Sequence, residues 1–338
     1  MKMKSRIEYI DALRGFVMLL VVLCHVPLYC YHNLDKLSFC LIPTTFHLAL
    51  FFFISGWFFK NVDGNKNYKI WSFIKKKFVQ LIIPTAVFYL LYCWLQCINI
   101  TDNLWNDKFK LGYWFCIVLF CFNLLMMVLG RLKGRGGIFL CMVVSLGAMM
   151  LSTNAVTRLL TELNIPNVFC VQQWQYFIFF YIGYLAHRYQ ACFYTWLDNG
   201  RIMAIGILLL FGSLLVYYNQ PIGIFGIKTT FILWGGLGAI LSFAFFRKFK
   251  DSFSRQTYVG RTLQYIGRRT LDVYLLHYFF MPKDLSVLGA TLMGHGNQTV
   301  ELFVSLTIVM IVVSLCLLTG NIIRLSPTLA HWLLGVKK

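Results

Sequence analysis

Long apolar runs recur along the chain, separated by short polar segments. A helix that crosses a bilayer needs roughly 20 mostly apolar residues. On that criterion the pattern predicts ten spans, at about 13–32, 39–59, 77–99, 111–130, 136–151, 171–187, 202–219, 228–246, 270–288 and 300–323. The fifth is short, and the sixth opens on the polar run Gln172, Gln173, Trp174, Gln175. A last stretch, 327–336, is too short to span and is expected at the membrane interface.

The basic residues set the orientation. With the N-terminus in the cytoplasm and spans alternating, every lysine and arginine falls inside except Lys36, Lys108, Lys110, Arg158, Lys228 and Lys283. That bias is the positive-inside pattern. Adding or removing one span scrambles it downstream. The expected fold is an all-α integral membrane bundle of about ten transmembrane helices with both termini cytoplasmic. Apolar runs recur from residue 16 to residue 334 with no soluble-looking block, so 1–338 reads as a single transmembrane domain with no fused soluble domain. No internal repeat stands out, and no outside loop is long enough to be a domain. Any active site is therefore built from helices and short loops.

Composition agrees: 59% of residues are hydrophobic and 13% charged, unlike a soluble domain. The net charge of +19 sits in short loops and reports topology, not nucleic-acid binding. The eleven cysteines show neither zinc-ligand spacing nor a disulfide framework. Most lie inside apolar runs (Cys24, Cys93, Cys97, Cys116, Cys121, Cys141, Cys316) and read as small packing residues. The basic start MKMKSRIEYIDALRG resembles a signal-peptide n-region, but no small-residue cleavage site follows, so it is read as leading into an uncleaved first helix.

An ionisable side chain inside a span costs about 2.5–3.5 kcal/mol on insertion scales, which makes it a functional candidate. These are Arg14, His25, His47, Asp272 and His277, with Asp11 at the inner end of the first helix. Eleven steps of about 100° separate Arg14 from His25, roughly 20° past three full turns, so both share one face about 16 Å apart along the axis. Taken singly, Arg14 also fits a snorkelling anchor and His25 a hydrogen bond to a neighbouring helix. His47, on the second span, falls at a depth similar to His25, where the two either share a pocket or serve packing. Ser55 and Gly56 lie nearer the cytoplasm, where small residues let a helix or ligand approach closely. Asp272 at the inner end of the ninth span either pairs with Arg14 or caps its helix beside Arg268 and Arg269, the second being favoured. His277 lies near mid-depth, with a structural role slightly favoured.

Three stretches resemble the membrane-bound acyltransferase 3 family, multi-span O-acyltransferases. RIEYIDALRGFVMLLVVLCH is similar to the family's Asp-x-Leu-Arg-Gly opening and its arginine-to-histidine spacing, here Asp11, Leu13, Arg14, Gly15 and His25. FHLALFFFISGWFF is similar to an aromatic-rich segment, with Phe51, Phe52, Phe53, Ser55 and Gly56. YIGRRTLDVYLLH is similar to a late motif, with Gly267, Thr270, Leu271, Tyr274, Leu275 and His277. KKKFVQLIIPTAVF resembles a basic stretch leading to a proline, Pro84.

The resemblance implies transfer of an acyl group, acetyl first among candidates, from cytoplasmic acyl-coenzyme A to a hydroxyl of a cell-surface glycan or related acceptor. The expected setting is a bacterial inner membrane, with the lipid bilayer, acyl-CoA and a glycan or lipid-linked saccharide as partners and no permanently bound cofactor or metal. His25 is the expected base or acyl carrier, with Asp11 and His47 in the catalytic set. Arg14 is expected to hold the CoA phosphates, with Ser55, Gly56, Lys76, Arg268 and Arg269 on the donor side. Tyr274 and His277 are placed in the acceptor pocket. On the residues alone, a proton-coupled transporter or exporter stands level with an enzyme, since intramembrane histidine and arginine serve both. The resemblance favours the enzyme.

Overall fold

Every regular element among the described residues is helical. The computed structural model describes residues 7–31, 38–59, 70–107, 109–132, 134–152, 158–159, 162–163, 165–219, 224–294 and 298–336. The expected loop basics at positions 2, 4, 6, 36, 60, 66, 69, 108, 133, 337 and 338 lie outside the described residues. Among the described residues four helices are long and apolar enough to cross a membrane: Glu8–Tyr31, Ile70–Leu95, Phe231–Lys248 and Thr299–Ile323. Shorter apolar helices cover Trp114–Leu129, Gly136–Met150 and Gly200–Ser213. Large apolar side chains such as Phe139, Leu208, Phe303 and Leu318 are exposed on their outer faces, a surface that suits lipid.

Several expected spans change shape, and each change has a local cause. The first helix starts at Glu8, not 13, and so carries Asp11 and Arg14 within its regular turns. At Pro27, which has no N–H to donate, it widens into a π turn, Pro27–Tyr31. The third starts at Ile70 and carries Lys75, Lys76 and Lys77 in its first segment; a second π turn, Phe78–Ile82, follows, just before Pro84. The fourth begins only at Trp114, because Lys110 and Leu111 take positive φ. The sixth is α-helical over Phe177–Arg188 alone; its polar opening is a 3₁₀ helix, Val171–Tyr176. The expected span 270–288 is broken. Thr270–Phe280 ends at Met281, which precedes Pro282 and is extended (φ −62°, ψ 121°), as the residue before a proline prefers. The chain resumes helix at Ser286–Gly294.

By backbone contact the chain forms two compact units, interleaved in sequence: Met1–Ile54 with Leu185–Leu318, and Ser55–Tyr184 with Thr319–Lys338. In the second unit, buried Phe122 of helix Trp114–Leu129 packs against Trp174, Phe177 and Phe180. Asn99 caps helix Ile100–Asn106 through the amides of Thr101 and Asp102. Lys110 folds back, fully buried, and donates to the carbonyls of Leu104 (2.7 Å) and Asp107 (2.5 Å) at that helix's end. Burial pulls its amine below the ordinary lysine range. Helix Pro327–Leu334 packs on helix Ile83–Leu95 and ends at Gly335, whose positive φ brings it against the Gln80 backbone.

The first unit is organised around the first helix, Glu8–Val26. Its closest neighbour is helix Tyr258–Arg268. At Gly15 an added Cβ would overlap the carbonyl oxygen of Leu263; at Gly267 it would overlap the carbonyl oxygen of Asp11. The two backbones touch with no side chain between them. Arg247 locks the same unit from another side, pairing with Asp198 through Nε (3.2 Å) and Nη2 (2.9 Å) and lying 3.5 Å over the Tyr194 ring. The guanidinium holds the Asp198 carboxyl below its ordinary range.

Gly15→Ala and Gly267→Ala are each expected to force the two helices apart and lower stability by about 1–3 kcal/mol, the cost of overpacking. Gly147→Ala, where an added methyl meets nothing within 4 Å, is the control. Thermal unfolding of detergent-purified protein by intrinsic fluorescence checks the difference; an unchanged midpoint for both crossing variants would contradict it.

Candidate active site

The first helix is unbroken from Glu8 to Val26, so the spacing from Arg14 to His25 holds at about 16 Å. Both side chains reach the same second helix, Thr270–Phe280. Near one end, Arg14 donates from Nη2 to Thr270 Oγ (3.0 Å). Further along, His25 Nδ1 lies 3.0 Å from His277 Nε2. Residue numbers rise together across both contacts, so the two helices run in the same direction, and one helix pair carries both ends of the site.

The arginine end is crowded with charge. Arg269 lies 3.8 Å from Asp272 and 5.1 Å from the Tyr265 ring. Asp272 is almost wholly buried in the first turn of its helix, and no side chain caps that helix start. Asp11, one turn before Arg14, is buried, and its Oδ2 has no hydrogen-bond partner. Arg268 is exposed.

Aromatic rings wall the histidine end. Tyr29 stands edge-on to His25 at 5.6 Å, and Tyr278 lies 5.5 Å from His25 and 3.8 Å from His277. Tyr274 lies 6.4 Å from His277 on the same helix. His277 Nδ1 lies 2.9 Å from the carbonyl oxygen of Val273, one turn back, and the ring is fully buried. His47 is also buried; its Nδ1 lies 2.7 Å from the Pro43 carbonyl, one turn back on its own helix. His25 keeps part of its surface accessible. A reactive nitrogen at this end is therefore reached through His25.

The structure gathers only part of the expected set. His25, His277 and Tyr274 converge, as do Arg14, Asp11, Arg269 and Asp272, while the hydrogen bond of His47 runs to its own helix. Asp11 precedes His25 by fourteen residues, about 21 Å along the helix, so it belongs to the arginine end and does not stand beside His25, where its expected place in the catalytic set would put it. Gly56 was expected to leave room for a helix or for donor; the room is filled by a helix, since an added Cβ would overlap the Phe180 carbonyl. Ser55, Gly56 and Lys76 all belong to the second compact unit, with Lys76 exposed near the end of helix Ile70–Lys77. Among the described residues no group of histidine, cysteine, aspartate or glutamate forms a metal site. Among the residues the sequence left without a site role are Thr270, Tyr29 and Tyr278. Tyr29 falls one turn after His25, a spacing that was open to inspection. Thr270 sat in the late motif, but only the helix pairing shows that it receives Arg14.

A family model described as an acyltransferase domain matches residues 7–319. That range includes both helices of the site. No curated protein and no solved structure matches the chain. A match over nearly the whole length, containing Arg14, His25 and His277 in one helix pair, establishes that the chain belongs to the acyltransferase 3 family.

Proposed function

We propose that the protein transfers an acyl group, acetyl by preference, from acyl-coenzyme A to a hydroxyl of a cell-surface glycan or related acceptor across a bacterial inner membrane. The observation that carries this reading is the pairing of Arg14 with Thr270 and His25 with His277 along one helix pair. Family membership supports acyl transfer. The helix pair supplies two stations about 16 Å apart, a separation suited to a donor with phosphates at one end and a thioester at the other.

In this reading the chain crosses the membrane ten times with both termini in the cytoplasm. The parallel course of the first helix and of Thr270–Phe280 supports a common starting side for both. The arginine end then faces the cytoplasm, where the donor is made. The Arg14 guanidinium, oriented by the Thr270 hydroxyl, grips phosphate. Arg268 and Arg269 raise the local concentration of the polyanionic donor. At the other end the acceptor hydroxyl attacks the thioester carbonyl carbon while His25 takes the hydroxyl proton. The carbon–sulfur bond breaks, and the proton passes to the departing sulfur as free coenzyme thiol. If His25 first carries the acyl group, its ring nitrogen attacks the thioester carbonyl and the coenzyme thiolate leaves; the acceptor hydroxyl then attacks the acyl carbon, the carbon–nitrogen bond breaks, and the hydroxyl proton ends on the thiolate. The aromatic wall of Tyr29, Tyr274 and Tyr278 limits water at the reacting carbon, which protects the thioester from hydrolysis.

With acetyl-CoA as donor and purified protein in nanodiscs, His25→Ala is expected to lower thiol release with a saccharide acceptor by about 10²–10⁴-fold while still binding the donor. Arg14→Ala is expected to weaken donor binding by about 10–100-fold, the loss of charge-assisted hydrogen bonds. Equal thiol release by wild type and both variants, or no donor binding by any, would overturn the reading and favour transport.

Thr270→Val removes the oxygen that receives Arg14 at nearly constant volume. Donor KM is expected to rise by a few-fold with kcat little changed, because the arginine loses orientation and keeps its charge. Steady-state kinetics with varied acetyl-CoA checks this; a fall in kcat alone would place Thr270 at the chemical step instead.

A further inference from the structure

We propose that His277 is a positioning residue that fixes the tautomer of His25 and so selects His25 Nε2 as the reactive nitrogen. The inference rests on the reading that His25 performs the transfer, and it names the atom and the device that prepares it.

The argument is a chain of donors and acceptors. The Val273 carbonyl oxygen only accepts, so His277 Nδ1, 2.9 Å away, carries a hydrogen. A neutral imidazole carries one ring hydrogen, so His277 Nε2 is then an acceptor. His25 Nδ1, 3.0 Å from it, must donate. The single hydrogen of neutral His25 is thereby committed to Nδ1, and the lone pair stands on Nε2. The ring geometry fits. The two planes are 8° from parallel, and a nitrogen separation of 3.0 Å is closer than the about 3.5 Å at which stacked carbon faces meet. The N–H and the lone pair therefore meet in the plane of the rings.

His277 is built to hold that arrangement. It has no exposed surface. Its Nδ1 bond runs to a backbone carbonyl of its own helix, and Tyr278 lies 3.8 Å from its ring. Fully buried and bonded at Nδ1 to a backbone carbonyl, the ring keeps one hydrogen-bonding polarity. The order of roles resembles a base held by an orienting group, with a carbonyl-anchored histidine where other enzymes place a carboxylate. During transfer the acceptor O–H bond breaks and its proton goes to His25 Nε2; the oxygen bonds to the acyl carbon, the carbon–sulfur bond breaks, and the proton leaves with the sulfur. The Nδ1–H bond to His277 persists throughout and steadies the cationic ring between the two proton movements.

Three substitutions separate this from a packing role. His277→Gln retains a side-chain carbonyl that accepts from His25 Nδ1. His277→Leu keeps bulk and accepts nothing. His25→Ala reports whether His25 acts at all. The first readout is the ring ¹⁵N spectrum of His25 in protein labelled with ¹⁵N-histidine in nanodiscs. Wild type and His277→Gln are expected to show protonated Nδ1 and bare Nε2, and His277→Leu to lose that preference. The second readout is kcat for thiol release at saturating acetyl-CoA: within about 10-fold of wild type for His277→Gln, and lower by about 10²–10⁴-fold for His277→Leu with donor binding intact. Acetyl-CoA binding and thermal midpoint confirm that each variant is folded. A bare Nδ1 in wild-type His25, or wild-type kcat in folded His277→Leu, overturns the proposal. Should His277→Leu fail to fold, the wild-type and His277→Gln spectra decide it alone. Full activity in His25→Ala would remove the transfer role of His25, and with it the reactive-nitrogen half of the inference, while the spectrum still reads the His277 bond by itself.

Discussion

At Gly15 the first helix meets helix Tyr258–Arg268 backbone to backbone, and Gly267 answers from the other side. Small residues permit such an approach between helices in lipid, where association depends on close packing because apolar burial supplies no drive. Everything at the site follows from it. Gly15 is next to Arg14, and Gly267 is three residues before Thr270, so the contact that joins the helices also sets the distance from guanidinium to hydroxyl. The chain then turns from one helix into Thr270–Phe280, which runs alongside the first helix as far as His277.

That geometry divides the work between two ends. Charge is concentrated near Arg14, where Asp11, Arg269 and Asp272 gather. At the other end the imidazoles of His25 and His277 meet beside the Tyr278 ring. The division accords with the cost of intramembrane charge, which is lowest where long side chains can reach the interface and highest at depth. A neutral imidazole avoids the cost of a charge at that depth. Its partners are then hydrogen-bond groups and aromatic faces, not ions, and their orientation rather than their charge prepares the ring.

Proline shapes both helices at the histidine end. Pro27 opens the first helix into a π turn just after His25, and Pro282 ends Thr270–Phe280 just after the aromatic wall. The two irregular segments meet, with the Leu285 amide donating to the Cys30 carbonyl at 3.0 Å. Irregular backbone at this point is satisfied within the protein, as a low-dielectric surround demands.

Much was legible in the sequence because it depends on one helix at a time. Apolar run lengths marked the helices, and an eleven-residue interval placed Arg14 and His25 on one face whatever surrounds them. The family resemblance was carried by residues within single segments, and it agrees with the match over 7–319. The Met281–Pro282 break was legible too, yet the apolar composition of 270–288 outweighed it. Tertiary structure decided what interval and composition do not encode: which helix faces the first one. Partners more than 250 positions apart, such as Arg14 with Thr270 and His25 with His277, are chosen by where two glycines let backbones touch. Placing Asp11 with Arg14 and away from His25 was already implicit in a rise of about 1.5 Å per residue. Giving Gly56 to Phe180 and His277 to His25 required the packed chain, because a close contact or a hydrogen bond between helices is a property of the pair and of neither helix alone.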